Sequence, residues 1–263
     1  MRFTRLLAAE MRRELKRAQA YWVDVLADQL LFTLVFLFLS GIIHLLTEGD
    51  YAANTLLAAL IGFVTWRIAD GCILRITDSL AEDAKTGTLE QIYLSSPQPA
   101  LILFARSLAI LVYHSFRGLL LAVILLLVLQ IPGKFSWMTI FIFGLTQIGA
   151  IGVAYGIAGL HLVYKNVTSI TLALSTVLLF LTGAVTPLDN APLLFRLTQL
   201  LPLTTGIGLL RQALIDDVSL ATMLRQTELY WLLLNSSMYG LIGWAIFRWG
   251  QNAARKHGSL AHY

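Results

Sequence analysis

Long, nearly unbroken apolar blocks alternate with short polar clusters along this chain, and residues 2–22 follow a different rule. There Phe3, Leu7, Met11, Leu15, Ala18 and Trp22 recur three or four positions apart, which places them on one face of a helix. Arg2, Arg5, Arg12, Arg13, Lys16 and Arg17 surround that face. The pattern predicts a basic amphipathic helix over residues 1–22, lying in the headgroup plane with its long side-chain stems snorkelling. Residues 23–263 are expected to form one transmembrane domain. Its apolar blocks approach or exceed the ~18–20 residues that cross a bilayer as helix. Six spans are expected: Val25–Leu46, Ala53–Trp66 with a charged continuation, Pro99–Leu129, Ser136–Leu162, Val167–Val185 and Leu229–Phe247.

The stretch 187–228 between the last two blocks is different. Its apolar pieces are about 10–14 residues long, too short to cross, and Pro187, Pro192 and Pro202 punctuate them. It is expected to be an outer region that dips into the membrane and turns back. The fold class is thus an all-α integral membrane protein. Composition agrees: of 263 residues 57% are hydrophobic and 13% charged, against roughly 25% charged in soluble domains. Residues 1–22 do not read as a secretory signal, because the basic region is long and a full-length span follows it.

The net charge of +4 resides at helix ends, which fits membrane topology and not nucleic acid. Six spans place both termini on one side. Thirteen Lys and Arg fall on that side, four (Lys134, Arg196, Arg211, Arg225) on the other, and Arg106 and Arg117 inside the third span. The bias predicts cytoplasmic termini. Cys72 is the only cysteine, so it forms no intrachain disulfide.

Residues 79–97, "SLAEDAKTGTLEQIYLSSP", interrupt the apolar pattern on the cytoplasmic side. Ser79 with Glu82, and Thr88 with Gln91, have capping-box spacing, and Gly87 suits the left-handed residue that ends a helix. Two short helices, about Leu80–Thr86 and Leu89–Ser95, are expected, with Pro97 closing the second. Leu89, Ile92 and Tyr93 would share one face as a buried anchor for a partner. Glu82, Lys85 and Glu90 would remain for water or the rim of that contact.

The run "EDAKTGTLEQIYLSSP" resembles the first cytoplasmic loop of type-2 ABC exporter permeases. "TGAVTPLDNAPLLFRLTQLLPLTTGIGLLRQALI" resembles the stretch after the fifth span of the same family. The resemblance covers nearly the whole chain. It implies a permease that pairs with itself or a sister subunit and with two cytoplasmic ABC ATPase subunits, which bind ATP and Mg; this chain would hold no cofactor. It also implies that Glu82, Gly87, Thr88, Leu89 and Glu90 belong to the coupling helix on which an ATPase sits. The exported substrate is expected to be an amphiphile such as a drug, lipid or lipid-linked glycan. The location implied is a prokaryotic cytoplasmic membrane.

No G-x-x-x-x-G-K-[ST] cradle for nucleotide phosphates occurs, since "PGKF" lacks the first glycine and the hydroxyl. H-E-x-x-H and G-x-S-x-G are absent, and His44, His114 and His161 form no metal-ligand pattern. No catalytic or metal site is expected. The alternative function is an ion-coupled transporter or channel without an ATPase, which needs carboxylates inside the spans. Asp70 is the strongest such carboxylate. Helical rise places it and Arg117 at similar depth on neighbouring antiparallel spans, so an Asp70–Arg117 pair is expected. Gly149, Gly152, Gly156 and Gly159 read as close helix packing. Thr168, Ser169, Thr171, Ser175, Thr176 and Thr182, and Asn235, Ser236 and Ser237, could line a polar path or bond to nearby backbone.

Overall fold

α1 (Arg2–Ala20) and α2 (Trp22–Leu46) meet at Tyr21. Its N–H reaches the Arg17 carbonyl at 3.0 Å and its carbonyl accepts from Val25 at 3.1 Å, so helical bonding continues through the elbow. The computed structural model describes residues 2–46, 53–95, 98–131, 136–164, 167–185, 197–216, 218 and 220–256, and helix is the only regular structure among them. The most apolar stretch of α2 is only 6% buried, so this helix stands at the edge. An aromatic cluster fastens it to the next helix: Phe36 packs on Phe63 at 5.1 Å between ring centres, and Phe32 on Trp66 at 6.0 Å.

α3 (Ala53–Lys85) is the central helix, with 83% of its most apolar stretch buried. At 33 residues it is about 50 Å long, more than a ~30 Å hydrocarbon core requires. Its C-terminal end therefore projects beyond the spanning part. The separate helix expected over Leu80–Thr86 does not exist, because α3 runs through it. Ile73, Ile76, Leu80 and Ala84 extend its buried face without a break, and Ser79 is fully buried mid-helix instead of capping anything. The helix ends where Gly87 adopts φ +71°, with its N–H on the Ala84 carbonyl at 3.3 Å. The Gly87 carbonyl then accepts from Gln91 at 3.2 Å and starts α4 (Thr88–Ser95). One glycine thus closes one helix and opens the next.

α5 (Pro99–Leu129) begins with proline in its first turn, where no N–H is needed. It ends at Gln130, in the left-handed region at φ 54°. α6 (Trp137–Tyr164), α7 (Thr168–Leu181), α8 (Thr204–Leu214), α9 (Leu220–Met223) and α10 (Thr227–Lys256) complete the fold. Inside a bilayer apolar burial gives helices little reason to associate, so close packing and polar contacts carry the assembly. The α6–α10 seam shows this. A methyl added at Gly159 would lie 2.6 Å from the Ile246 carbonyl oxygen, and one at Gly243 would collide with the Gly152 backbone. Tyr155, Trp244 and Phe247 fill the flank, with ring centres 5.3–5.9 Å apart. The glycine stripe of the fourth apolar block is therefore a packing surface: Gly152, Gly156 and Gly159 face α10, and Gly149 faces Pro202.

Among the described residues, four helices are long and apolar enough to cross a membrane: α2, α3, α5 and α6. α7, at the fifth block, has 14 residues and spans about 21 Å. α10 has 30 residues, but Asn235, Ser236, Ser237 and several glycines dilute its hydropathy, and it is not among the four. Three α7 hydroxyls bond to their own helix: Thr171 to the Val167 carbonyl, Thr176 to Leu172 and Thr182 to Leu178. Ser175 turns inward to Asp70.

Of the stretch 187–228 expected to dip and turn back, residues 187–196, Asp217 and Ser219 lie outside the described residues. From Leu197 onward the chain is tucked against α6 and α10, with Gly206, Ile207, Leu209 and Leu210 buried. Its irregular backbone is served by side chains. Trp231, Asn235 and Tyr239, one turn apart on α10, donate to the Gln199 and Leu200 carbonyls at 3.0–3.1 Å. Arg211 of α8 donates to Ala58 at 2.8 Å and Gly183 at 2.6 Å. Non-helical backbone in an apolar medium is tolerated where protein groups satisfy it in this way.

Replacing Gly243 by valine should separate α6 from α10, since the Gly152 backbone cannot give way. Overpacking of this kind costs roughly 1–3 kcal/mol. The thermal midpoint of the detergent-solubilised protein should fall by several degrees. Gly208→Ala, where nothing lies within 4 Å of an added methyl, should leave it unchanged.

Candidate functional site

The charged residues of the spans gather into two connected clusters with a cavity between them. The first cluster starts on α1. Glu10 and Glu14 are its only carboxylates and, four residues apart, share one face. That face packs inward. Glu14 is 3% exposed and receives a two-pronged contact from Arg75 of α3, Nε to Oε2 at 3.0 Å and Nη2 to Oε1 at 2.8 Å. Glu10 lies 3.4 Å from Arg106 Nε of α5. Arg106 also pairs with Asp83 and donates to the Ser79 hydroxyl at 3.3 Å. Arg13 joins Asp83 from α1 at 3.6 Å. Six ionised side chains, Glu10, Arg13, Glu14, Arg75, Asp83 and Arg106, thus tie α1, α3 and α5 together.

The second cluster lies deeper. Asp28 of α2 pairs with Arg67 of α3 at 2.7 Å and with Arg117 of α5. Arg67 also holds Asp70 at 3.1 Å and lies over the Phe32 ring, 3.9 Å from its centre. Asp70 accepts from Ser175 of α7, whose carbonyl takes the Trp66 indole N–H at 3.0 Å. The direct Asp70–Arg117 pair expected from helical rise is replaced by the chain Asp70–Arg67–Asp28–Arg117. Depth alone placed the two groups together, but Asp28 on α2 is nearer to Arg117, and a single carboxylate serves both arginines.

Between the clusters, the α1–α2 elbow, α3 and α5 enclose a cavity of about 500 Å³. Arg75, Arg67 and Arg117 form its floor with Glu14 and Asp28, and Arg17, Tyr21, Asp24 and Asp78 its rim. His114 can sit beside it because Gly71 has no side chain, and a methyl there would collide with the imidazole.

Beyond the C-terminal end of α3, α4 is fixed to its own subunit. Leu89 is 3% exposed, and the Tyr93 hydroxyl donates to Gln251 Oε1 of α10 at 3.0 Å. Leu89, expected to face a partner, faces this chain's interior, and Tyr93 is half-buried with its hydroxyl engaged. Ile92 is half-buried beside them. Gly87 and Thr88 form the turn, where the Thr86 and Thr88 hydroxyls lie 2.9 Å apart. Glu82, Lys85, Glu90 and Gln91 point outward, together with Leu94 at 81% exposed.

The partners Glu10, Glu14, Asp28, Arg75, Asp83 and Arg106 were not singled out from sequence. Signals existed: two lone carboxylates one turn apart on a basic helix, and an aspartate just inside an apolar block. Arg106 and Arg117 also stand eleven residues apart, three helical turns, hence on one face of α5.

Four helices among the described residues long and apolar enough to cross a bilayer, with buried ion pairs joining them, make this a multi-pass membrane protein. The family model for the ABC-2 type transporter matches residues 2–215, and the chain belongs to that family. It is a membrane-domain subunit of the ABC permease kind, and permeases of this family generally work with ATPase subunits. A comparison with curated proteins returns no match.

Removing one member of a buried ion pair leaves the other uncompensated, at a cost of roughly 3–5 kcal/mol. Glu14→Ala should therefore destabilise strongly. Glu14→Met combined with Arg75→Met should recover most of the loss, because neither charge remains. Thermal midpoints of the two singles and the double close the cycle. A double variant as unstable as the sum of the singles would mean the pair is not a unit.

Proposed function

We propose that the chain is the permease of an ATP-driven ABC exporter that moves an amphipathic substrate from the cytoplasm or inner leaflet by alternating access. It has six spans, with α7 and α10 supplying the fifth and sixth, and both termini lie in the cytoplasm of a prokaryotic cell. Residues 187–228 form an outer region that dips in without crossing. Two ABC ATPase subunits, which bind ATP and Mg, dock on the 79–97 segment, and a second permease completes the path.

The observation that carries this reading is the mounting of α4. A free loop would absorb a push. Here Leu89 and the Tyr93–Gln251 bond set α4 rigidly against α3 and α10, and Arg106–Asp83 carries the same motion to α1 and α5. A short, preformed helix with an exposed leucine and a charged margin suits docking, because little further order is lost on binding. The alternative, an ion-coupled transporter, gains some support from Asp28 and Asp70 within the spans. Arg67 and Arg117 neutralise both, which favours a structural role.

The docking contact is tested on the exposed side of α4. Leu94→Asp should reduce ATPase co-purification on the order of tenfold, equivalent to about 1.4 kcal/mol, at equal permease expression. Glu90→Gln should act more mildly, as rim charges do. Leu89→Ala should lower permease stability while any intact permease still binds. Normal assembly and transport with Leu94→Asp would remove α4 as the docking element.

A further inference from the structure

The cavity between the two charged clusters has features that structural ion pairing does not account for. Four arginines and four carboxylates line its roughly 500 Å³, so its formal charge is zero. The charges are not evenly spent. Arg75 is 8% exposed and its Nη1 has no hydrogen-bond partner, and the buried Nε of Arg117 has none either. Buried guanidinium donors are seldom left without acceptors, so these two mark a place for one. At the rim, Asp24 and Asp78 are exposed and accept no hydrogen bond among the described residues. The floor thus offers donors suited to an oxyanion, and the mouth offers acceptors suited to a cation.

We propose that this cavity binds the headgroup of a zwitterionic aminophospholipid, with its phosphate on Arg75 and Arg117 and its ammonium between Asp24 and Asp78. Guanidinium forks match phosphate oxygens geometrically. A plain anion would face four carboxylates without compensation, and a plain cation would face four arginines. The location favours a lipid over a soluble phosphate ester. The cavity opens at the α1–α2 elbow beside exposed Trp22, and the two long helices that frame it carry exposed Leu26, Leu30, Phe116 and Leu119, which give acyl chains an apolar wall. Binding here needs only that the chain be membrane-embedded, so it stands apart from the export reading.

The test is lipid retention. The full chain, with any ATPase that accompanies it, is extracted in a mild nonionic detergent, and the retained phosphatidylethanolamine and phosphatidylglycerol are quantified by mass spectrometry against the bulk membrane. The parent should be enriched in phosphatidylethanolamine. Asp24→Asn with Asp78→Asn should lower that enrichment on the order of tenfold and leave phosphatidylglycerol retention intact, because the arginines remain. Asp78→Asn alone is read in the same way if the double variant fails to fold. Soluble phosphoethanolamine should not displace the lipid, and displacement at equimolar concentration would overturn the lipid assignment. A parent that retains no lipid or prefers phosphatidylglycerol, or a variant that keeps the parent's ratio, would overturn the site.

Discussion

The two-pronged contact between Glu14 and Arg75 sets the terms for the rest of the structure. Both groups are buried, and a buried charge without a partner costs several kcal/mol even after relaxation. Neither helix can move away without exposing that cost. α1 is therefore no mere float on the bilayer surface. Its acidic side is bolted to α3 and, through Glu10 and Arg106, to α5, while Arg5, Arg12, Lys16 and Arg17 face outward. The deeper cluster repeats the arrangement with Asp28, Arg67 and Arg117, and draws in α2.

The connections divide the molecule by stiffness. The α6–α10 seam is backbone against backbone, with glycine at each approach, and it also supports the turn at residues 199–200 through three α10 side chains. α2 and α5 have largely exposed apolar faces; charge and the Phe32–Phe63–Trp66 cluster hold α2, and charge together with buried Leu103, Ile110, Leu121 and Leu125 holds α5. α4 touches both parts, packing Leu89 inward near α3 and bonding to α10 through Tyr93. α4 thus contacts the glycine seam and the α3 side of the molecule together.

How much of this was legible in the sequence follows from the range of each interaction. Long apolar blocks fixed the all-helical character and the starts of α3, α5 and α6, and Gly87 with its flanking residues gave the turn before α4. Those are local signals. The supposed cap at Ser79 failed because tertiary burial of Leu80 and Ala84 outweighed a local capping motif. The Asp70–Arg117 pair failed for a related reason: helical rise gives depth but not azimuth, and Asp28 on a third helix had the better angle. The inward turn of Glu10 and Glu14 was hidden because the same helix carries a convincing apolar stripe, and only its neighbours decide which side is covered. Leu89 and Leu94 look alike in sequence, and one is an interior residue and the other an exposed one.

The central claim is that α1 and the C-terminal end of α3 move as one body. It is tested most directly by a spin-label distance between Lys16→Cys and Lys85→Cys, both exposed positions, with buried Cys72 left in place. The distance is read in the assembled transporter with and without nucleotide. The account predicts one narrow distribution that stays put in both states and broadens only when Glu14 or Arg75 is replaced. A distance that shifts with nucleotide while Glu14 and Arg75 are intact would contradict it.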